Sequence, residues 1–159
     1  IDNTCDAATF LWELHREGRL RLDFNPVAGR LLYHTPCHTR LGTGGSHAEH
    51  LLRLIPELSL DATDHGCSGM AGTFGLAREH YRASLRAGLG LVTAVRSGGI
   101  DAGATECSAC RLQMEQGSSK PTVHPIKLLA KSYGLLPGSG PTGLDTLLTT
   151  PSGRLTTSS

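Results

Sequence analysis

The stretch Arg30-Leu31-Leu32-Tyr33-His34-Thr35-Pro36-Cys37 decides the predicted fold class of this chain. Its apolar centre has the length of a buried strand, and Pro36 ends that strand in a turn that carries a cysteine. The same arrangement recurs twice, because Leu58-Ser59-Leu60 precedes a glycine-rich loop around Cys67 and residues 101–105 precede Cys107. Three predicted strands are therefore each followed by a cysteine.

Helical patterns lie between these strands. Apolar spacing, capping residues and stop signals predict helices at residues 6–18, 46–55, 76–95, 108–116 and 125–133, and Val123 lies in a short fourth strand. Leu112 and Met114 are expected to face the core. Alternation of strands and helices is typical of a parallel sheet covered by helices. The sequence therefore predicts a small Rossmann-like, three-layer α/β domain with a mostly parallel sheet of about four strands.

Length and composition narrow the classes of function. The chain has 159 residues and a formal charge of only +1, with acidic and basic residues interspersed, which disfavours nucleic acid as a partner. No apolar run approaches the roughly 20 residues that span a bilayer, and no signal peptide opens the chain. We therefore expect a cytoplasmic protein.

The domain boundaries follow from composition as well. We expect residues 1–136 to form one domain, with residues 1–25 as a lead-in helix and linker. Residues 137–159 are rich in Gly, Ser, Thr and Pro, which predicts a flexible tail. A helical pattern almost at Ile1, with no initiating Met, suggests a piece of a longer polypeptide.

Five cysteines form an odd set, which makes a disulfide framework a poor explanation in a cytoplasmic protein. Cys37, Cys67 and Cys107 each follow a predicted strand, and the carboxyl ends of parallel strands meet at one edge of a sheet. Cys110 completes a Cys-x-x-Cys motif at the start of a helix. These four thiolates would be a full ligand set for an iron–sulfur cluster or a zinc ion. Cys5 has no comparable setting.

Four further residues are candidates for contacts that support the ligands. Ser68 and Gly69 follow Cys67 directly, and His38 follows Cys37. His124 ends the fourth predicted strand at the same edge of the sheet, although a structural role is the better interpretation for it.

With these residues identified, the chain resembles the cysteine-rich CCG domain found in heterodisulfide reductase and in anaerobic glycerol-3-phosphate dehydrogenase. The similarity runs from about residue 3 to about residue 136 and is carried by four stretches. They are Tyr33-His34-Thr35-Pro36-Cys37-His38, the glycine-rich residues 66–75, Glu106-Cys107-Ser108-Ala109-Cys110 and His124-Pro125-Ile126. The chain looks most similar to the carboxy-terminal module of fusions that also contain FAD-binding and ferredoxin-like domains.

The resemblance implies a non-catalytic, electron-transfer part of an oxidoreductase. A flavin on a separate FAD-binding domain would oxidise a 2-hydroxy acid or glycerol 3-phosphate, and electrons would pass through iron–sulfur centres toward quinone or another carrier. The expected partners are FAD-binding and ferredoxin-like domains of the same or a partner chain. They could place the domain at the inner face of the membrane. No catalytic residue is predicted in this chain.

The chain departs from the family pattern at one position. Where the family has Cys-Cys-Gly, this sequence has Cys67-Ser68-Gly69, which weakens any expectation of a noncubane cluster. Cys37, Cys67, Cys107 and Cys110 still match, so a 4Fe-4S cluster is the expected cofactor. Two alternatives stay open, namely a zinc-stabilised structural or interaction domain and, with less support, a thiol–disulfide redox protein.

Overall fold

The computed structural model describes residues 4–40, 46–136 and 144. Within them, four strands form one sheet in the order β2-β1-β3-β4, and every neighbouring pair is parallel. The strands are β1 (Gly29–Tyr33), β2 (Leu58–Asp61), β3 (Ala102–Ala104) and β4 (Thr122–Val123). The predicted parallel sheet of about four strands is confirmed.

Helices cover both faces of this sheet. They are α1 (Ala7–Arg16), α2 (Cys37–Arg40), α3 (His47–Leu52), α4 (Tyr81–Arg96), α5 (Ser108–Ser118) and α6 (Pro125–Ser132), with a 3₁₀ turn at Phe74–Leu76. Helix α3 packs against α1 and α6, whereas α4 packs against α5. The two groups belong to separate apolar clusters, so the three-layer α/β architecture predicted from the sequence is confirmed.

The central strand β1 explains why both faces are covered. Successive side chains of a strand point to opposite faces, and Leu31, Leu32 and Tyr33 are all at most 2% exposed. Leu31 and Tyr33 belong to the cluster that contains α1, α3 and α6, while Leu32 packs with Leu91 and Met114 of α4 and α5. Each face of the strand therefore needs its own helical layer, as is usual in parallel sheets.

Most element boundaries agree with the sequence patterns, with three differences. Helix α4 begins at Tyr81 rather than at Leu76, because the preceding loop continues into the 3₁₀ turn. The short helix α2 was not predicted. The placement of Leu112 in the core is wrong: it is 36% exposed, whereas Met114 is fully buried. Residues two apart on a helix lie about 200° apart around its axis, so these two side chains face nearly opposite directions.

The predicted tail falls almost entirely outside the described residues. Leu144 is described, is 4% exposed and belongs to the same apolar cluster as α3. The flexible tail over residues 137–159 therefore stays a prediction. In the described part of the chain, no helix combines the length and the apolar character needed to cross a membrane.

The loop that follows β2 is fixed by an unusually close approach to α4. We call residues 62–73 the Cys67 loop. A Cβ atom added at Gly69, whose φ is +85°, would lie 2.1 Å from the carbonyl oxygen of Ser84. A Cβ atom added at Gly88 would lie 2.3 Å from the carbonyl oxygen of Ser68. Backbone contacts backbone here, and only glycine leaves room for it.

We expect Gly88→Ala to destabilise the protein, although alanine normally favours an exposed helix by about 1 kcal/mol over glycine. The added methyl group would push against the Ser68 carbonyl, and such overpacking costs roughly 1–3 kcal/mol. Urea denaturation followed by circular dichroism measures the change. Gly98→Ala is the matched control, because a Cβ atom there meets nothing within 4 Å. Equal stability of both variants would show that the loop adapts freely.

His34 extends the pairing of the two central strands into the interior. Its N–H donates to the carbonyl of Ala104 at 2.9 Å, and the residue is 4% exposed. Burial is the largest cause that lowers the pKa of His34, to about 4, and the nearby Arg40 guanidinium lowers it further. The imidazole is therefore neutral in the folded protein near pH 7.

Because this pKa is lower in the folded chain than in the unfolded chain, the unfolded state takes up a proton first as the pH falls. Stability should therefore decrease between pH about 6.5 and about 4. We expect His34→Gln to flatten this decrease in apoprotein, measured as the free energy of unfolding at several pH values. His50→Gln, at an exposed position, should keep the wild-type slope. Identical slopes for both variants and wild type would contradict the assignment.

Candidate metal centre

The sheet order creates a switch point between β1 and β3. The chain leaves β1 toward β2 on one side and leaves β3 toward β4 on the other. In open α/β sheets, sites form at the carboxyl ends of strands where the connections diverge in this way. Cys37 lies four residues after β1 and Cys107 three residues after β3, while Cys67 lies on the connection after β2. All three connections leave the same edge of the sheet.

Three of the cysteine sulfurs accept a hydrogen bond from a nearby donor. The Gly69 N–H donates to Cys67 Sγ at 3.2 Å, and the Cys110 N–H donates to Cys107 Sγ at 3.4 Å. Cys107 thereby caps the amino terminus of α5. The Ser68 hydroxyl donates to Cys110 Sγ at 3.1 Å. Donors placed on sulfur in this way stabilise thiolates and tune metal centres bound to them.

Cys110 is the most deeply placed of these thiols. Its burial raises the pKa to about 12, against the opposing effect of the Ser68 hydroxyl, and the neighbouring Cys107 and Cys67 raise it further. The influence of both other thiols means that Cys67, Cys107 and Cys110 lie close to one another. A thiol in this setting keeps its proton until a cation arrives, so metal binding would release protons here.

An ion pair ties the Cys37 connection to the Cys67 loop. The Arg40 guanidinium donates two hydrogen bonds of 2.8 Å to the Asp64 carboxylate and a third to the carbonyl of Thr35. The Asp64 carboxylate also accepts the Gly66 N–H at 2.9 Å. Arg40 lies three residues after Cys37, and Asp64 lies three residues before Cys67. This two-pronged contact therefore connects the backbone segments that carry both cysteines.

A second polar network lies under the same edge. The buried Tyr33 hydroxyl donates to Glu106 Oε2 at 2.9 Å and shares a 2.6 Å hydrogen bond with Ser46, the cap of α3. Burial raises the pKa of Glu106, while the Tyr33 hydrogen bond and the charges of His124 and His38 oppose that rise. Glu106 immediately precedes Cys107, so this network holds the connection that presents the Cys-x-x-Cys motif.

The donor set fits a thiolate-bound group in its chemistry, since soft sulfur ligands suit iron–sulfur clusters and zinc. Among residues 4–40, 46–136 and 144, however, no group of three or more His, Cys, Asp or Glu is arranged to hold a metal ion. The Cys37 side chain forms no hydrogen bond within this part of the chain. The fit is therefore to three neighbouring sulfurs, with Cys37 on the adjacent connection.

The predicted site residues thus divide into three groups. Cys67, Cys107 and Cys110 lie near one another together with Ser68 and Gly69, whose donors reach two of the sulfurs. Cys37 and His38 are exposed on α2 at the neighbouring connection. The ring nitrogen Nδ1 of His124 accepts the Ile126 N–H and caps α6, so the structural interpretation of this histidine is supported. Cys5 is exposed beside α1.

Sequence reasoning missed the residues that hold the cysteine connections together. Arg40 and Asp64 are 24 positions apart, and Tyr33 and Glu106 are 73 positions apart. The only available signal was position, because Tyr33 and Glu106 stand inside the stretches that carry the family resemblance. Neither pair shows a local spacing that predicts a contact.

Comparison with known proteins places this site in context. No protein-family model matches the chain. It is 36% identical over 126 residues to the cysteine-rich subunit of anaerobic glycerol-3-phosphate dehydrogenase from Escherichia coli K12, and equally to its counterpart from Escherichia coli O157:H7. The alignment covers 79% of this chain but 32% of each relative, so the chain spans about a third of their length. This similarity confirms that the chain is related to the cysteine-rich, CCG-type subunit of anaerobic glycerol-3-phosphate dehydrogenase.

Proposed function

We propose that this chain is an iron–sulfur electron-transfer domain of a flavin-linked dehydrogenase. The observation that carries the proposal is the grouping of Cys67, Cys107 and Cys110, each of whose sulfurs accepts a hydrogen bond, at the carboxyl edge of the sheet. The name of the relatives favours glycerol 3-phosphate over a 2-hydroxy acid as the substrate oxidised by the flavin domain. Quinone or another carrier would accept the electrons.

An iron–sulfur cluster held here would accept and donate single electrons. Cys37, Cys67, Cys107 and Cys110 would supply its thiolates. The Ser68 hydroxyl and the N–H groups of Gly69 and Cys110 would donate to their sulfurs and stabilise the added negative charge. The burial of Cys110, which is 7% exposed, keeps water from that side of the group.

One observation favours a thiol–disulfide function as the second candidate. Cys107 at the helix start is more accessible than Cys110, as in a dithiol pair with an attacking and a buried resolving thiol. Such a function would need only these two cysteines. It leaves the hydrogen-bonded Cys67 and the glycine-tight Cys67 loop without a purpose, so it ranks below electron transfer.

Protein prepared without oxygen should contain iron and acid-labile sulfide. Replacing Cys67, Cys107 or Cys110 singly with Ala should remove most of both, because each thiolate in a four-sulfur set holds the cluster directly. Cys37→Ala tests whether the exposed α2 connection supplies the fourth ligand. Metal and sulfide analysis with visible absorption measures the result.

Cys5→Ala is the matched control and should leave the iron content unchanged. A colourless wild-type protein that holds one zinc ion and rejects iron and sulfide would support the zinc-stabilised domain. A metal-free protein whose Cys107 and Cys110 form a reversible disulfide would support the thiol–disulfide candidate. Either result would contradict the electron-transfer proposal.

Ser68 provides a separate test of the ligand set. Its hydroxyl is 3.1 Å from Cys110 Sγ, and a serine oxygen is a poor iron ligand compared with a thiolate. We expect Ser68→Ala to keep nearly all of its iron but to lower the reduction potential, since one hydrogen bond to sulfur is lost. Redox titration measures the shift. Loss of iron as complete as in Cys67→Ala would mean that Ser68 is itself a ligand.

A further inference from the structure

An apolar row runs along the outer side of α4. Five of the nine large apolar side chains that are exposed in the described part of the chain lie between residues 74 and 89. They are Phe74, Leu76, Tyr81, Leu85 and Leu89, which are between 37% and 62% exposed. The last three are spaced four residues apart on the helix, so they lie on one side of it. A concentrated apolar area of this kind is typical of an interaction surface.

A row of positive charge follows the apolar one. Arg78, Arg82 and Arg86 are also spaced four residues apart, and all three are exposed. None of them forms an ion pair within the described residues, whereas Arg40 and Arg53 elsewhere do. Glu79 is the single acidic residue between positions 74 and 89. We call the five apolar side chains and these three arginines the α4 surface.

The inner side of the same helix supports the cysteine site. The carbonyl of Ser84 lies against Gly69, and Gly88 lies against the carbonyl of Ser68. Ser68 in turn donates to Cys110 Sγ. One helix, about 10 Å across, therefore separates the α4 surface from the cysteine site. A partner that binds the outer side would sit close to the electron-carrying group.

We propose that the α4 surface is the docking surface for the flavin-bearing domain that exchanges electrons with this site. This inference rests on the proposed function. The partner should present an apolar patch surrounded by Asp and Glu, because the three arginines of the α4 surface have no acidic counterpart within the described residues. Tyr, Leu and Arg side chains grouped in this way match the composition of protein interfaces, where Tyr and Arg often dominate the binding energy.

The charge pattern separates this partner from two others. A second copy of this chain would bring one row of arginines against the same row, which repels in a two-fold contact. Anionic lipid would satisfy the arginines. However, Tyr81 and Leu85 are more than half covered by their own helix, which leaves little of them to insert into a bilayer interface. An acidic protein surface satisfies both the arginines and the partly exposed apolar row.

Site-specific photocrosslinking in the intact dehydrogenase tests the location. A benzophenone amino acid replaces Leu85 or Leu89 in one set of variants and Leu135, which is 71% exposed beyond α6, in the control. Mass spectrometry then identifies the attached peptide. We expect Leu85 and Leu89 to link to acidic peptides of the flavin-bearing domain, and Leu135 not to do so. Links to this same chain, to lipid or to no protein would overturn the inference.

Electron-transfer kinetics provide the second readout. We expect Arg82→Glu to slow reduction of this domain by the reduced flavin roughly tenfold or more at low salt, because charge steering is reversed. Lys127→Glu, a charge reversal at an exposed position on α6, should leave the rate near that of the wild type. Equal rates in the two variants would overturn the inference.

Iron and sulfide content, measured on the same preparations, keeps the two proposals separate. Normal content with an unaffected rate in Arg82→Glu would reject the docking surface and leave the electron-transfer function intact. Absence of iron and sulfide in the wild type would reject the electron-transfer function, whereas the crosslinks would still report what covers the α4 surface.

Discussion

Contact between the Cys67 loop and α4 controls the geometry of the cysteine site. Gly69 and Gly88 lie on opposite sides of this contact, each against a carbonyl oxygen of the other segment. Two backbones that approach this closely leave little freedom to the residue between them, so Ser68 is buried with its hydroxyl on Cys110 Sγ. The position of Cys67 follows, because it is the next residue along the loop and is held by the Gly69 N–H.

The rest of the site depends on long-range polar pairs rather than on local motifs. Arg40 and Asp64 join the connections after β1 and β2, and Tyr33 and Glu106 join the connections after β1 and β3. β1 is the neighbour of both β2 and β3, so its carboxyl end is where these pairs can meet. The cysteine connections are thus fixed from the central strand outward.

Helix α4 connects this geometry to a partner. Its inner side meets the Cys67 loop through backbone, which requires glycine and serine there, while its outer side carries the apolar row and the arginines. A single helix that is constrained on one side and chemically distinct on the other can relate a docked protein to a redox group without any moving part. The relatives are about three times as long as this chain, so they contain further sequence that could take part in such contacts.

The sequence by itself determined the class of the fold and the identity of the sulfur ligands that were proposed. Apolar periodicity identified the four strands and five of the helices, because burial on one or two faces is written into local spacing. It could not determine the side of α5 that faces the core at Leu112, where a short helix of low apolar content leaves the choice to its neighbours. Only the tertiary structure decided that Cys67, Cys107 and Cys110 come together, that Ser68 supports Cys110 and that Arg40 reaches Asp64. These contacts join residues far apart in the chain, and their distances depend on how the layers pack rather than on any local pattern.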